Sequence, residues 1–399
     1  MPIEIGVKYI DTIEQARREI QAVGSDPGGW SRMAPKAVHK VIKLSGMSPT
    51  QANIIKQELL ARGGDAAVAR GVINHSVETS DMLLMATLNQ YRVFIDKLKM
   101  QPFGLAKLAT RIEAALANLA GPRLRQLNCR GRELELGRRT LVMGILNTTP
   151  DSFSDGGRYL DPAAAVEHAL QMVEDGADII DLGGISTRPG HLEVSIEEEQ
   201  RRILPVLEKL VQRVNVPISV DTWRATVARE ALERGAHIIN DQWALRADQG
   251  LAQVVAEYQA PVMLMHNGQD TEYQDVMLEL TAFLRQSIEI AQQAGISQEN
   301  IIIDPGIGFA KTYEQNLEVL RRLKELTVLG YPILLGTSRK SVIAKTLQLP
   351  VDQRLEGTGA TVALGIASGA DIVRVHDVKE IVRVARMSDA ILRGPKHEE

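Results

Sequence analysis

The sequence predicts an α/β protein, a (β/α)8 TIM barrel preceded by a smaller, mostly helical N-terminal domain, and three observations carry that prediction. Short runs rich in Ile, Val and Leu begin near residues 141, 178, 216, 237, 261, 301, 332 and 371. Amphipathic stretches such as 162–176, 195–214, 225–235, 272–295 and 313–329 lie between them, the alternation of a parallel α/β fold. A doubly wound sheet shares that local grammar, but the polar clusters all fall at the C-terminal ends of the runs, where a barrel assembles its active site. Hydrophobic residues make up 44% of the chain and aromatic residues only 4%, which suits strands buried on both faces.

A barrel takes about 250 residues, so a 399-residue chain divides most simply into an N-terminal extension, 1–130, and a barrel, 131–399. In the extension, 12–23, 34–44 and 48–62 show helical spacing, and 80–100 reads as one long helix. Ser48 with Gln51 three residues on forms a capping box, with Pro49 at the first helical position. Gly63-Gly64-Asp65 interrupts, and the Gly- and Pro-bearing stretch 120–138 reads as the crossing into the barrel.

The formal net charge of −4 is unevenly spread: residues 1–130 hold 18 Lys and Arg against 11 Asp and Glu, or +7, which leaves −11 for the rest. That asymmetry suits docking between domains or subunits. With no dense basic run or aromatic-interleaved basic stripe, no nucleic-acid partner is expected. No run approaches ~18 uncharged apolar residues, and the first residues lack a basic-then-apolar leader, so no membrane partner and a cytoplasmic location are expected. The single cysteine, Cys129, excludes an internal disulfide and a cysteine-rich metal site.

The chemistry begins at 143–157, MGILNTTPDSFSDGG, where an apolar strand runs into a polar loop closed by two glycines. Asn147 at the strand end offers a hard neutral oxygen able to bind a Mg²⁺ that keeps most of its waters and a substrate diphosphate. By itself such an Asn is equally a turn former. The loop beyond it, with Phe153 and Asp155, has the hinges of a mobile lid. The second strand leads into GGISTRPG at 183–190. Asp221, Asn240 and Asp304 each follow an Ile/Val run, and a polar group buried there costs several kcal/mol unless something pairs with it. Asp221 could alternatively cap the next helix through Thr222-Trp223. Arg374 and His376 alternate on the last strand and can share one face. With Asn147 on the neighbouring first strand they form an anion site, Arg374 by its fork and His376 by a further hydrogen bond. No GxxxxGK[ST] loop is present.

These motifs, with SRKS at 338–341 and DPGIGFAK at 304–311, resemble the dihydropteroate synthase family in order and across nearly all of 140–393. The resemblance implies a transferase that condenses 6-hydroxymethyl-7,8-dihydropterin diphosphate with p-aminobenzoate, with Mg²⁺ as cofactor, in a homodimer. It implies pterin contacts for Asp221, Asn240 and Asp304, and an anion site at Arg374 and His376 with metal ligation by Asn147. Lys340 then packs beside the pterin, and Thr187, Arg188, Pro189, Phe153, Phe309 and Ser341 build the p-aminobenzoate pocket. Asp155 closes the first loop, and Asp221, Lys340, Arg374, His376 and Asp155 are the catalytic group. Ile185 and Ala310 depart from residues common in the family. Two alternatives are a methyltetrahydrofolate–corrinoid methyltransferase, which shares the pterin contacts but needs no diphosphate site, and a non-catalytic pterin-binding paralogue.

Overall fold

A computed structural model of the chain describes residues 3–119, 124–148, 162–185 and 194–394. It divides into two compact units, Met1–Gly121 and Pro122–Glu399.

The first unit comprises helix α1 (Ile13–Ala22), α2 (Trp30–Ala37), strand β1 (His39–Met47), α3 (Pro49–Leu60), β2 (Asp65–Val68), β3 (Ser80–Thr87), α4 (Leu88–Leu98) and α5 (Leu105–Asn118). Its strands form an antiparallel sheet in the order β1-β3-β2. The Ser48–Gln51 capping box is present, with Pro49 starting α3, and Gly63 closes the helix in the left-handed region, with φ of 75°. Two stretches that read as helical are partly strand: 34–44 spans the end of α2 and most of β1, and 80–100 is β3 followed by α4. The cause is visible in β3, where Ser80, Met82, Leu84 and Ala86 are buried while Leu83 and Met85 on the other face are also apolar. With both faces apolar, the two-residue period disappears from the sequence.

The second unit opens with a hairpin, β4 (Arg125–Cys129) and β5 (Arg132–Leu136). The barrel follows as β6 (Leu141–Asn147), α6 (Pro162–Glu174), β7 (Ile179–Gly183), α7 (Ile196–Arg213), β8 (Ile218–Asp221), α8 (Ala225–Glu233), β9 (Ile238–Asp241), α9 (Leu251–Glu257), β10 (Val262–Met265), α10 (Val276–Gln293), β11 (Ile301–Asp304), α11 (Tyr313–Arg321), β12 (Leu334–Leu335), α12 (Ser341–Leu347), α13 (Leu355–Ala367), β13 (Ile372–Val375) and α14 (Val378–Arg393). The eight barrel strands are parallel and ordered β11-β10-β9-β8-β7-β6-β13-β12. A parallel bridge between Ile303 and Ile333 joins the two ends into a closed ring.

Alternation along each strand divides the unit into layers. Ile180, Leu182, Ile218, Val220, Ile239, Val262, Leu264, Ile301 and Ile303 face outward and pack with the helices. Met143, Ile179, Ile238, Met263, Ile302, Leu334 and Ile372 face inward and form the barrel floor together with Leu127, Cys129, Leu134 and Leu136 of the hairpin. The stretch that read as a crossing is therefore the plug of the barrel's N-terminal mouth, with the division at Gly121/Pro122 and not at 130. Arg130 and Arg132 fasten the plug to backbone carbonyls that precede the strands, Leu232 (2.9 Å) and Val216 respectively. Burial pushes the Cys129 thiol up to about 12, so it serves as a small core residue.

This layout sets where the chain can be cut. A protein starting at Leu124 should keep a folded, active barrel, whereas one starting at Thr140 should not. The latter loses three buried leucines worth about 1.5–3 kcal/mol each, against a total stability of ~5–15 kcal/mol. Urea melts and activity of the two truncations decide the point; equal stability would show that the hairpin is dispensable.

Candidate active site

Six of the eight barrel strands carry an inward polar or charged side chain at or near their C-terminal ends: Asn147 from β6, Asp181 from β7, Asp221 from β8, Asn240 from β9, Asp304 from β11 and Arg374 from β13. Asp221, Asn240 and Asp304 are at most 8% exposed. Parallel strands of a barrel lean their C-terminal ends into one mouth, so residues up to 193 positions apart meet there.

Arg374 is the centre of this group. Its Nε donates to Asp181 Oδ2 at 2.6 Å and its Nη2 to Asp221 Oδ2 at 3.0 Å. Asn240 Nδ2 donates to the same Asp181 oxygen at 3.1 Å, and Gln242 Nε2 lies 2.8 Å from both Asp221 oxygens. Two carboxylates share one guanidinium, so the cluster carries a net negative charge in a nearly dry site. Burial, and then repulsion from Asp181, push the Asp221 carboxyl up to about 7 against the pull of Arg374. Asp221 does not cap a helix: the N-cap of α8 is Arg224, and the first backbone N–H of α8 is taken by Asp248 at 2.8 Å.

His376 lies two residues beyond Arg374, as the alternation requires. The Ser338 hydroxyl accepts the backbone N–H of His376 at 3.1 Å and lies 3.0 Å from its Nδ1. With the Ser338 hydroxyl donating to Nδ1, the ring proton sits on Nε2.

Lys340 reaches over the mouth from the loop after β12. Its Nζ donates to the Ile307 carbonyl at 2.6 Å and lies 4.8 Å from the centre of the Phe309 ring. Gly336 lies beside both side chains, since a Cβ there would make ordinary contacts of 3.7 Å with that Nζ and 3.9 Å with Arg374 Cβ. Burial brings Lys340 down to about 8, with Asp304 opposing. Asp304 accepts the Gly306 N–H at 2.7 Å, and burial raises its carboxyl. Ser341 starts α12 and is exposed.

The β11 loop is held from behind. Lys311 Nζ lies 2.8 Å from His266 Nδ1 and donates to the Gly306 and Phe309 carbonyls at 3.1 Å each. Burial lowers Lys311 to about 7 and His266 to about 3. Gly306 admits no side chain, since a Cβ there would lie 1.9 Å from the His266 carbonyl oxygen. Ala310 is left-handed, with φ of 45°, a conformation that a glycine adopts without cost and that Tyr273 clamps through its hydroxyl bond to the Ala310 carbonyl, 2.8 Å.

Phe153, Asp155, Thr187, Arg188 and Pro189 lie outside the described residues. The flanks of their loops are described and meet: Thr148 donates to the Gly183 carbonyl through both its N–H, at 2.8 Å, and its hydroxyl, at 3.1 Å. Arg202 donates to the Gly184 carbonyl at 3.0 Å and Arg224 to that of Val194 at 2.6 Å. Both loops therefore leave from one braced base.

Sequence reasoning missed Asp181 and Gln242. Asp181 stands two residues before Gly183 and Gln242 two after Asn240, so the same alternation that singled out Arg374 and His376 would have found both.

Residues 143–376 match the family described as pterin binding enzyme. The dihydropteroate synthase of Clostridium beijerinckii is 52% identical over 263 residues, 66% of this chain and 98% of that protein. A probable bifunctional folylpolyglutamate synthase/dihydropteroate synthase of Halobacterium salinarum is 40% identical over 396 residues, 98% of this chain and 47% of that protein, so its likeness extends through the N-terminal unit. Among solved structures, the Xanthomonas albilineans dihydropteroate synthase in complex with 7,8-dihydropteroate superposes with a TM-score of 0.63 at 42% identity, covering 68% of this chain and 100% of that one. The same enzyme with 4-aminobenzoic acid gives a TM-score of 0.66 at 44% identity, with coverage of 68% and 100%.

Proposed function

Because the chain belongs to the pterin binding enzyme family, and within it to the dihydropteroate synthases, we infer that its barrel condenses 6-hydroxymethyl-7,8-dihydropterin diphosphate with p-aminobenzoate to give 7,8-dihydropteroate and diphosphate, a transferase step of folate biosynthesis. The observation that carries the reading is the side-by-side arrangement of two hydrogen-bond donors, the Arg374 guanidinium and the His376 ring, and two buried carboxylates, Asp181 and Asp221, at one barrel mouth. One half suits a departing anion and the other a developing cation.

In the reaction the bond between the pterin methylene carbon and the diphosphate oxygen breaks, and its electron pair leaves with the oxygen. Arg374 Nη1, which neither carboxylate engages, and His376 Nε2–H supply fixed donors to that growing charge. The electron-poor pterin is stabilised by Asp221, while Asp304 and Asn240 offer acceptor and mixed partners to the aminopyrimidine edge. The p-aminobenzoate nitrogen, neutral at pH 7, donates its lone pair to the methylene carbon, and its proton leaves to water or to the diphosphate. No strong base is required. The Phe153/Asp155 and Thr187-Arg188-Pro189 loops, with Phe309 and Ser341, are proposed to seat p-aminobenzoate and exclude competing water.

Mg²⁺ is part of this proposal. Among the described residues no three His, Cys, Asp or Glu side chains gather to cage a cation, whereas Asn147 offers one neutral oxygen beside the anion site. That is the donor set of a hydrated Mg²⁺ completed by substrate phosphate; when bound, the ion would spread the diphosphate charge. A homodimer is also proposed, supported by apolar side chains that α13 and α14 expose: Leu364, Met387, Ile391 and Leu392. No helix among the described residues is long and apolar enough to cross a membrane, and a cytoplasmic setting completes the proposal.

Two pKa shifts set the expected pH profile. Asp221, raised to about 7, loses its charge as pH falls through that value, and Lys340, lowered to about 8, loses its charge as pH rises. The free-enzyme profile of kcat/KM should therefore be a bell between them. A flat profile from pH 6 to 9 would remove both groups from the chemistry. The function itself is tested by incubating the full chain with both substrates and Mg²⁺ and identifying 7,8-dihydropteroate by mass; its absence overturns the reading.

A further inference from the structure

Gln242 stands one step above Asn240 on the same side of the barrel wall, and its side chain is 5% exposed. The amide nitrogen faces both Asp221 oxygens at 2.8 Å, the orientation that gives each carboxylate oxygen a donor. That orientation buries Oε1 with no hydrogen-bond partner. A buried acceptor left unpaired is costly, and an apolar side chain of the same size would avoid the cost. The backbone is built to hold it there: Asp241 accepts the N–H groups of Trp243 at 2.8 Å and Leu245 at 2.5 Å, and Ala244 and Leu245 complete the turn with φ of 52° and 65°. A tight turn made from two left-handed non-glycine residues fixes the Gln242 Cα over Asp221.

We propose that Gln242 is a positioning residue for the transfer reaction, holding the Asp221 carboxylate in one orientation toward the pterin by a two-pronged contact from Nε2. The proposal rests on the dihydropteroate synthase reading. Arg374 grips only Oδ2 of Asp221, so without Gln242 the carboxylate can rotate about that single contact and Oδ1 loses its donor. The orphaned Oε1 follows from this arrangement, since an amide is the neutral group that can donate from the tip of a four-atom reach. A glutamate there would face Asp221 with a like charge.

The test compares wild type with Gln242→Leu and Gln242→Glu in the full-length protein. Gln242→Leu should keep its melting temperature, because it removes one unpaired polar atom while exposing one carboxylate oxygen. Losing a hydrogen bond to a charged group should lower kcat/KM for the pterin diphosphate roughly 10- to 100-fold, with the KM for p-aminobenzoate changed less than about twofold. Calorimetry should show weaker binding of pteroic acid and unchanged binding of inorganic diphosphate. Gln242→Glu should be more impaired than the leucine variant at pH 8. Wild-type kinetics in Gln242→Leu, or equal losses of pteroic acid and diphosphate affinity together with a lowered melting temperature, overturn the proposal. Failure of the wild type to make dihydropteroate sinks the functional reading itself, whichever way the variants bind.

Discussion

Arg374→Ala should lose both activity and stability. Removing a positioned donor from developing negative charge costs roughly 10²–10³ in kcat. Read from sequence alone, a guanidinium at a strand end speaks for catalysis with little effect on folding. The structure changes that expectation: Arg374 is the cation shared by Asp181, fully buried, and Asp221, 8% exposed, and leaving buried charge uncompensated costs about 3–5 kcal/mol. Arg374→Lys separates the two effects. A lysine restores a positive charge but not the fork that spans two carboxylates, so it should recover much of the stability and little of the activity. Denaturant melts with steady-state kinetics on both variants check this; an alanine variant as stable as wild type would show that the three groups do not act as one buried ion cluster.

Asp304→Asn should remove pterin affinity while sparing the anion site. The amide oxygen can keep the bond now made to the Gly306 N–H, 2.7 Å, so the loop after β11 survives. The other carboxylate oxygen becomes an NH2 group, and a ring N–H then meets a donor in place of an acceptor. One buried unpaired polar contact plus a lost charge-assisted bond amounts to roughly 10²-fold in binding. Lys340 also loses the anion that favours its charged form. Calorimetry with pteroic acid and, separately, inorganic diphosphate should show a large loss for the first and almost none for the second. Equal losses would mean that Asp304 maintains the architecture of the mouth.

The sequence carried much of the barrel. All eight strand starts, the capping box at Ser48 and the inward pair Arg374/His376 are patterns of period and cap that local physics imposes. It misled at 39–47 and 80–87, where strands with apolar residues on both faces hide their two-residue period. It also could not show that 125–136 plugs the barrel, because Leu127 and Leu134 reveal their role only against Met143, Ile238 and Ile372, which come later in the chain. Asp181 and Gln242 were overlooked for a related reason. Each reads as an ordinary polar residue near a strand end until Arg374 and Asp221 arrive from other strands. The residues of the two loops, Phe153, Asp155, Thr187, Arg188 and Pro189, remain assignments by family likeness, resting on a base that Thr148 and Gly183 brace.

The most direct test of the account is to follow diphosphate release from 6-hydroxymethyl-7,8-dihydropterin diphosphate by the full-length protein with Mg²⁺, with p-aminobenzoate supplied or withheld. Arg374 and His376 at the leaving group and Asp221 at the pterin predict rapid release that tracks p-aminobenzoate and one dihydropteroate formed per diphosphate. No release in the presence of both substrates, from a protein that still binds pteroic acid, would contradict it and leave a barrel that holds pterins without transferring them.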